Sequence, residues 1–145
     1  MEFTDKGFIK IEVKNLIDWK GGNGEGCLVS NRITKDGWKV GYMYREAPDA
    51  GSPDSGWRFL KGDESSEYTS SSSNLNVFSI NTICNYDPDI IPYLKAPVGS
   101  GFIRVSDHKF EEDNQDKRIY YAKQERCEEW YSKVLIIKKF IYMNG

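Results

Sequence analysis

The chain has 145 residues, 39% of them apolar and 29% charged, with a formal net charge of −2. That is the size and balance of one soluble domain with a single core, and it excludes global disorder. So small a net charge gives no sign of nucleic-acid binding by massed phosphate neutralisation, which needs a basic patch.

Phe8 to Val13 alternates apolar and polar residues and predicts a half-buried strand. Gly21-Gly22-Asn23-Gly24-Glu25-Gly26 then interrupts regular structure. Its glycines do not fit G-x-G-x-x-G and no P-loop Lys-Ser/Thr follows, so it predicts a flexible linker rather than a phosphate cradle. Cys27 to Ser30 reads as a short buried strand. The tight turn offered by Asp36-Gly37 and a second strand at Val40 to Arg45 then predict a hairpin. Pro48, Gly51 and Pro53 make Glu46 to Ser55 a loop. Gly56 to Leu60 is a third strand, with Trp57 and Phe59 on one face and Arg58 on the other. The polar, serine-rich stretch from Lys61 to Asn74 predicts a mobile loop, and Leu75 to Thr82 a fourth strand. Asp87-Pro88 is a helix start, with Asp as cap and Pro at the first position; Pro92 limits it to one short turn through Leu94. A further strand follows at Phe102 to Val105. Residues 116–133 have helical spacing, and Val134 to Ile141 favours a strand. The expected fold is α+β: a mainly antiparallel sheet of five to six strands with one or two short helices in a single domain. Its expected parts are an N-terminal strand arm and linker (1–25), a central domain (26–112) and a C-terminal helix/strand extension packing on it (113–145).

Catalytic and metal-binding patterns are sparse. The single histidine, His108, lies in a polar loop and reads as a surface residue. Cys27, Cys84 and Cys127 are odd in number and far apart, which suits neither a zinc site nor a disulfide framework and favours reduced thiols in the cytoplasm. Met1 to Lys6 lacks the apolar region of a signal peptide, and the longest apolar run falls far short of the ~20 residues of a membrane span. The acid pairs Asp63-Glu64 and Asp87-x-Asp89 are the remaining candidates for acid/base or metal chemistry. A solvated turn explains the first, and a helix cap explains Asp87. No cofactor or metal is expected.

Binding has more support. Two strings, Asp54 to Glu64 and Asn81 to Leu94, concentrate aromatics and acids. Trp57, with Asp54 and Arg58 beside it and Asp63 and Glu64 just beyond, has the residue types of an interface hot spot, although a core aromatic is the alternative. Tyr42, Tyr44 and Arg45 extend the same surface if the second strand neighbours the third, and Asn85, Tyr86 and Asp87 add the centre of the second string. Between Glu46 and Tyr68 there are six acids against two bases, which favours a basic partner. The competing reading is a small-ligand or enzymatic pocket beside Trp57 that uses Asp63, Glu64, Asp87 or Cys84. A weaker third is self-association through Val134 to Ile141.

These strings resemble a known family, immunity protein 33 (Imm33, the DUF2185 domain) of bacterial polymorphic toxin systems. The resemblance rests on Cys27-Leu28-Val29-Ser30-Asn31-Arg32-Ile33, Val40-Gly41-Tyr42-Met43-Tyr44-Arg45-Glu46, Asp54-Ser55-Gly56-Trp57-Arg58-Phe59, Gly62-Asp63-Glu64, Asn81 to Ile91 and Pro97-Val98-Gly99-Ser100. It implies an α+β domain without assigned enzymatic activity that neutralises a cognate toxin, and the acidic stretch from Glu46 to Tyr68 favours a basic target such as a nuclease domain. It supplies no catalytic residues, and implies neither direct nucleic-acid nor membrane binding. The expected state is a monomer or weak homodimer in the cytoplasm.

Overall fold

Two patterns build the architecture: short runs rich in apolar residues, and serines standing just ahead of helical turns. The computed structural model describes residues 1–21 and 24–113. Six strands, β1 (Gly26–Ser30), β2 (Tyr42–Arg45), β3 (Asp54–Leu60), β4 (Leu75–Ser79), β5 (Gly101–Ser106) and β6 (Lys109–Glu112), form one sheet in the order β4-β1-β3-β2-β5-β6. β1 and β3 run parallel, and every other neighbouring pair is antiparallel. Three helices, α1 (Asn31–Thr34), α2 (Ser66–Ser70) and α3 (Ile80–Tyr86), and 3-10 turns at Ser72–Asn74 and Pro88–Tyr93 join the strands. The class is the expected one: α+β, mainly antiparallel, a single domain.

The main core lies on one face of the sheet. Val29, Met43, Trp57, Phe59 and Phe102 project from the strands there and meet Ile80, Ile83 and Cys84 of α3 and Ile90 of the second 3-10 turn. Trp57 stacks on Phe59 (6.0 Å between ring centroids), and its indole N–H donates to the Leu94 carbonyl (3.2 Å). That bond removes the one polar cost of burying the ring. On the opposite face a smaller cluster joins Leu28, Tyr44, Leu60 and Leu75.

Four expected elements are corrected. The predicted β1–β2 hairpin does not form. Ser30 accepts from the Arg32 amide (3.2 Å) and caps α1, and Gly37, at φ 84°, stands just past that helix rather than between paired strands. β1 then lies between β3 and β4, and β2 between β3 and β5. The alternation of Phe8 to Val13 makes no strand beyond an isolated Phe3–Ile9 bridge. The fourth strand stops at Ser79, whose hydroxyl accepts from the Thr82 amide (3.1 Å) and starts α3. Ile80, Ile83 and Cys84 stand at helical spacing and bury together. The stretch expected to be a mobile loop contains α2, capped by Ser65 and buried at Thr69, and the first 3-10 turn. The turn at Asp87-Pro88 is as expected: Asp87 accepts from the Asp89 amide (3.1 Å), and the turn ends at Leu94. The helix and strand expected within 116–141 lie outside the described residues.

Candidate functional site

The buried polar chemistry starts from a bulge in β3. Against β1, Gly26 faces Asp54 but Leu28 already faces Arg58, so β3 spends two extra residues there. Gly56 sits in the bulge at φ 91°, where a Cβ would run into the Glu46 carbonyl oxygen; only glycine fits. In a straight strand, residues four apart lie ~13 Å apart. The bulge shortens that span, and Asp54 grips Arg58 with both oxygens (2.9 Å to Nη1 and 2.9 Å to Nη2). Glu46 takes Arg58 Nε at 2.7 Å. Burial pushes the Asp54 carboxyl up, but Arg58 and the amides of Asp49 and Gly56 outweigh it and hold the carboxyl below its ordinary range. Burial likewise works against the charge on Arg58, yet Asp54 and Glu46 raise its pKa above the usual value. The charge on Arg58 is thus matched entirely within the chain.

A second cluster ties the 3-10 turn to the β5–β6 hairpin. Asp87 accepts from the Val40 amide (2.9 Å) and from Arg104 Nη2 (2.7 Å). Arg104 Nη1 holds Asp89 (2.9 Å), and Arg104 Nε donates to the Val40 carbonyl (2.7 Å). His108, at φ 64° in the two-residue hairpin turn, lies 2.8 Å from Asp89 through Nδ1 and is otherwise exposed. Burial opposes ionisation of Asp89, but His108 and Arg104 prevail and bring its carboxyl down to about 2.

The remaining predicted site residues divide by burial. Trp57 is 0% exposed and is a core aromatic. Glu64 is buried, accepting from the amides of Lys61 (2.8 Å) and Gly62 (2.7 Å). Tyr44 is buried, and Tyr42 donates to Asp113 (2.8 Å). Asn85 and Tyr86 hold the N-terminal arm: Asn85 accepts from the Lys14 amide (2.9 Å), and Tyr86 donates to the Ile9 carbonyl (2.6 Å). Only Asp63 is fully on the surface, paired with Lys61 at 2.7 Å. Arg45 is half-buried at the far end of β2, beside a cavity of about 680 Å³. Of the six acids between Glu46 and Tyr68, Asp63 and Glu67 alone are exposed. The acidic stretch is mostly internal ion pairing and turn-making.

A family model described as the immunity protein Imm33 domain matches residues 27–114. The chain belongs to the Imm33 family. No curated protein and no solved structure matches it. The Imm33 match spans β1 to β6 and so contains both arginine clusters, whereas the arm that packs on α3 precedes it.

None of Asp63, Glu64, Asp87 and Cys84, the residues of the competing pocket reading, lines the cavity beside Arg45. Cys84 is fully buried, and desolvation pushes its thiol up to about 12; Cys27 is raised further by burial. Neither offers a thiolate nucleophile near neutral pH. Among the described residues no cluster of His, Cys, Asp or Glu suits a metal ion, and no helix is long and apolar enough to cross a membrane.

Two residues that sequence reasoning passed over stand out instead. Trp38 is 53% exposed, with Lys61 Nζ 4.1 Å above its ring. Its signal was a tryptophan directly after an Asp-Gly turn and flanked by lysine. Trp19 lines the cavity beside Arg45, and its only signal was an aromatic isolated between Asp18 and Lys20.

Proposed function

We propose that this Imm33 domain acts in the cytoplasm as a stoichiometric inhibitor, docking on a cognate toxin through the surface around Trp38 and performing no chemistry of its own. The observation that carries the surface is Trp38 itself. A soluble domain that leaves a tryptophan more than half exposed, stiffened by Lys61 above the ring and Asp63 behind the lysine, presents a pre-ordered hot spot. Lys39, 3.6 Å from Asp89, continues the polar rim towards the Arg104 cluster. A standard interface of roughly 800 Å² per partner centred on Trp38 would take in these groups. Asp63 and Glu67 remain to steer a basic target such as a nuclease domain.

The test is capture of a partner by the tagged protein from the products of its own genomic neighbourhood, repeated with Trp38→Ala and Asp63→Lys. The expected result is one protein bound 1:1, with affinity about 30-fold weaker for Trp38→Ala. Capture of no protein, or capture undiminished in both variants, would overturn the reading.

A further inference from the structure

Among the described residues the arginines come with carboxylates, with one exception. Arg58 holds Asp54 and Glu46, Arg104 holds Asp87 and Asp89, and Arg32 lies 3.6 Å from Asp36. Arg45 is half-buried, yet among the described residues no carboxylate lies within 4.0 Å of it. Burial alone lowers its pKa, as expected for a cation short of counter-charge.

The guanidinium is nevertheless held firmly. Its Nε donates to the Ser55 carbonyl (3.1 Å) and its Nη1 to the Ala96 carbonyl (2.9 Å). Trp19 lies 5.1 Å from it and Trp57 6.0 Å, measured to the ring centroids. Nη2 makes no hydrogen bond among the described residues, and it lies on the side of Gly21. A Cβ on Gly21 would stand 3.3 Å from Nη2 and 2.9 Å from Trp19 Cζ2, so the missing side chain keeps that approach open. Trp19 is itself fixed, its indole N–H shared between the carbonyls of Gly21 (2.6 Å) and Gly24 (2.8 Å).

Beyond Arg45 opens the cavity of about 680 Å³, with apolar walls from Ile17, Trp19, Ile91 and Leu94 and two lysines, Lys20 and Lys95, at its rim. The one acid on it among the described residues, Asp18, is 82% exposed and lies 3.4 Å from Lys20. A pre-oriented guanidinium edge at the base, an aromatic wall and a cationic rim define a ligand class. We propose that this cavity binds a carboxylate carried on a short apolar stem, with the carboxylate seated on Arg45 Nη2 and the stem against Trp19, Ile91 and Leu94. A partly desolvated cation gains most from an anion that completes its pairing, and Nη2 is the donor left to a carboxylate oxygen among the described residues. Apolar walls suit a monoanion with a hydrocarbon stem better than a fully hydrated phosphate. The same chemistry comes from an acidic side chain of a protein partner or from a free organic acid.

The probe is the dipeptide acetyl-Leu-Glu-amide, with acetyl-Leu-Gln-amide as its neutral twin and inorganic phosphate as the competing anion. Binding is followed by NMR at the Trp19 indole N–H and the Arg45 Nε–H of the ¹⁵N-labelled full chain. The expected result is saturable shifts of both signals by the glutamate peptide, about tenfold weaker for the glutamine peptide. Lys95→Glu, a rim change on an exposed residue, should weaken the glutamate peptide about fivefold, and Gly21→Val should abolish its binding. Equal binding of both peptides, no saturable shift at these signals, or tighter binding of phosphate would overturn the proposal. Where a toxin has been captured, loss of the toxin in Gly21→Val assigns the carboxylate to the toxin. Retention of the toxin assigns it to a free organic acid. The titration needs no toxin, so failure of the inhibitor reading leaves this result standing, and the reverse.

Discussion

Arg58 and Arg45 stand on neighbouring strands, Arg58 opposite Tyr44 and Arg45 opposite Trp57, and they point to opposite faces of the sheet. Arg58 is sealed, gripped by two carboxylates from its own chain. Arg45 is equally well placed by backbone carbonyls but is left without a carboxylate among the described residues. The difference teaches that charge in a sequence is not charge on a surface. The acidic stretch around Arg58 reads as a partner-seeking patch and is mostly an internal neutraliser, whereas the proposed opening to an outside anion lies at Arg45, which has no matching acid among the described residues.

The largest effect should come from opening the sealed site. Asp54→Ala leaves Arg58 buried with one partner instead of two, and breaking such a pair costs about 3–5 kcal/mol. Urea unfolding measures it as a fall in midpoint at unchanged slope. A loss under about 1 kcal/mol would mean that the cluster is solvated and that Arg58 resembles Arg45 after all.

The Arg104 cluster is intermediate, since Asp89 is shared between half-buried Arg104 and exposed His108. Replacing Asp89 with Asn removes charge-assisted bonds worth about 1.5–3 kcal/mol at neutral pH. The same group sets an acid limb. The folded carboxyl titrates at about 2, below an unfolded value near 3.9, so its contribution is complete above the unfolded pKa and disappears as pH falls towards about 2. Melting temperature should therefore drop between pH 5 and pH 2, and Asp89→Asn should shallow that drop. A drop of the same size in the variant would place the acid sensitivity elsewhere, with Asp54 the next group to replace.

These contrasts show which parts of the molecule were legible. Cys27–Ser30 and Phe102–Val105 declared themselves as strands by short runs of apolar, largely β-prone residues, and Gly56–Leu60 by Trp57 and Phe59 alternating with Arg58. Asp87-Pro88 declared its turn because cap and proline are neighbours in the chain. Strand partners were not legible. β1 against β3 is a parallel pairing whose members are separated by α1 and β2, and the run from Phe8 to Val13 alternates without ever finding a neighbouring strand. Ser79 hid a helix start within an alternating run, although Ile80, Ile83 and Cys84 carried the helical spacing. Of the candidate site, Tyr42, Arg45 and Asp63 keep some exposure, while Trp57, Arg58, Asp54 and Glu64 are interior. Their burial depends on a bulge and a sheet order that no local window contains. Trp19 meets Arg45 for the same reason: the arm crosses α3 because Asn81 and Asn85 satisfy its backbone, from 64 to 71 residues away in the chain.

Arg45→Gln should cost about 1 kcal/mol, because the carbonyls of Ser55 and Ala96 lose donors without any acid being left unpaired. Urea unfolding of this variant beside Asp54→Ala sharpens the comparison directly. If Arg45→Gln costs as much as Asp54→Ala, then Arg45 is a structural cation like Arg58, and the cavity beside it is incidental.

The smallest effect on stability is expected at the exposed pair. Asp63 is 65% exposed, and its carboxyl is held below the usual range chiefly by the hydrogen bond from Lys61. Exposed pairs contribute about 0–1 kcal/mol, so Asp63→Lys should move the unfolding free energy by no more than about 0.5 kcal/mol. Its consequence at the surface is larger, because a second lysine beside Lys61 loosens the cation held over Trp38 and reverses the local charge. Asp63→Lys should thus separate the two quantities that Asp54→Ala joins, leaving the melting curve in place while weakening capture of the toxin. A variant that unfolds early would show Asp63 to be part of the same structural network as Glu64, and the Trp38 surface would then need a probe that leaves that turn untouched.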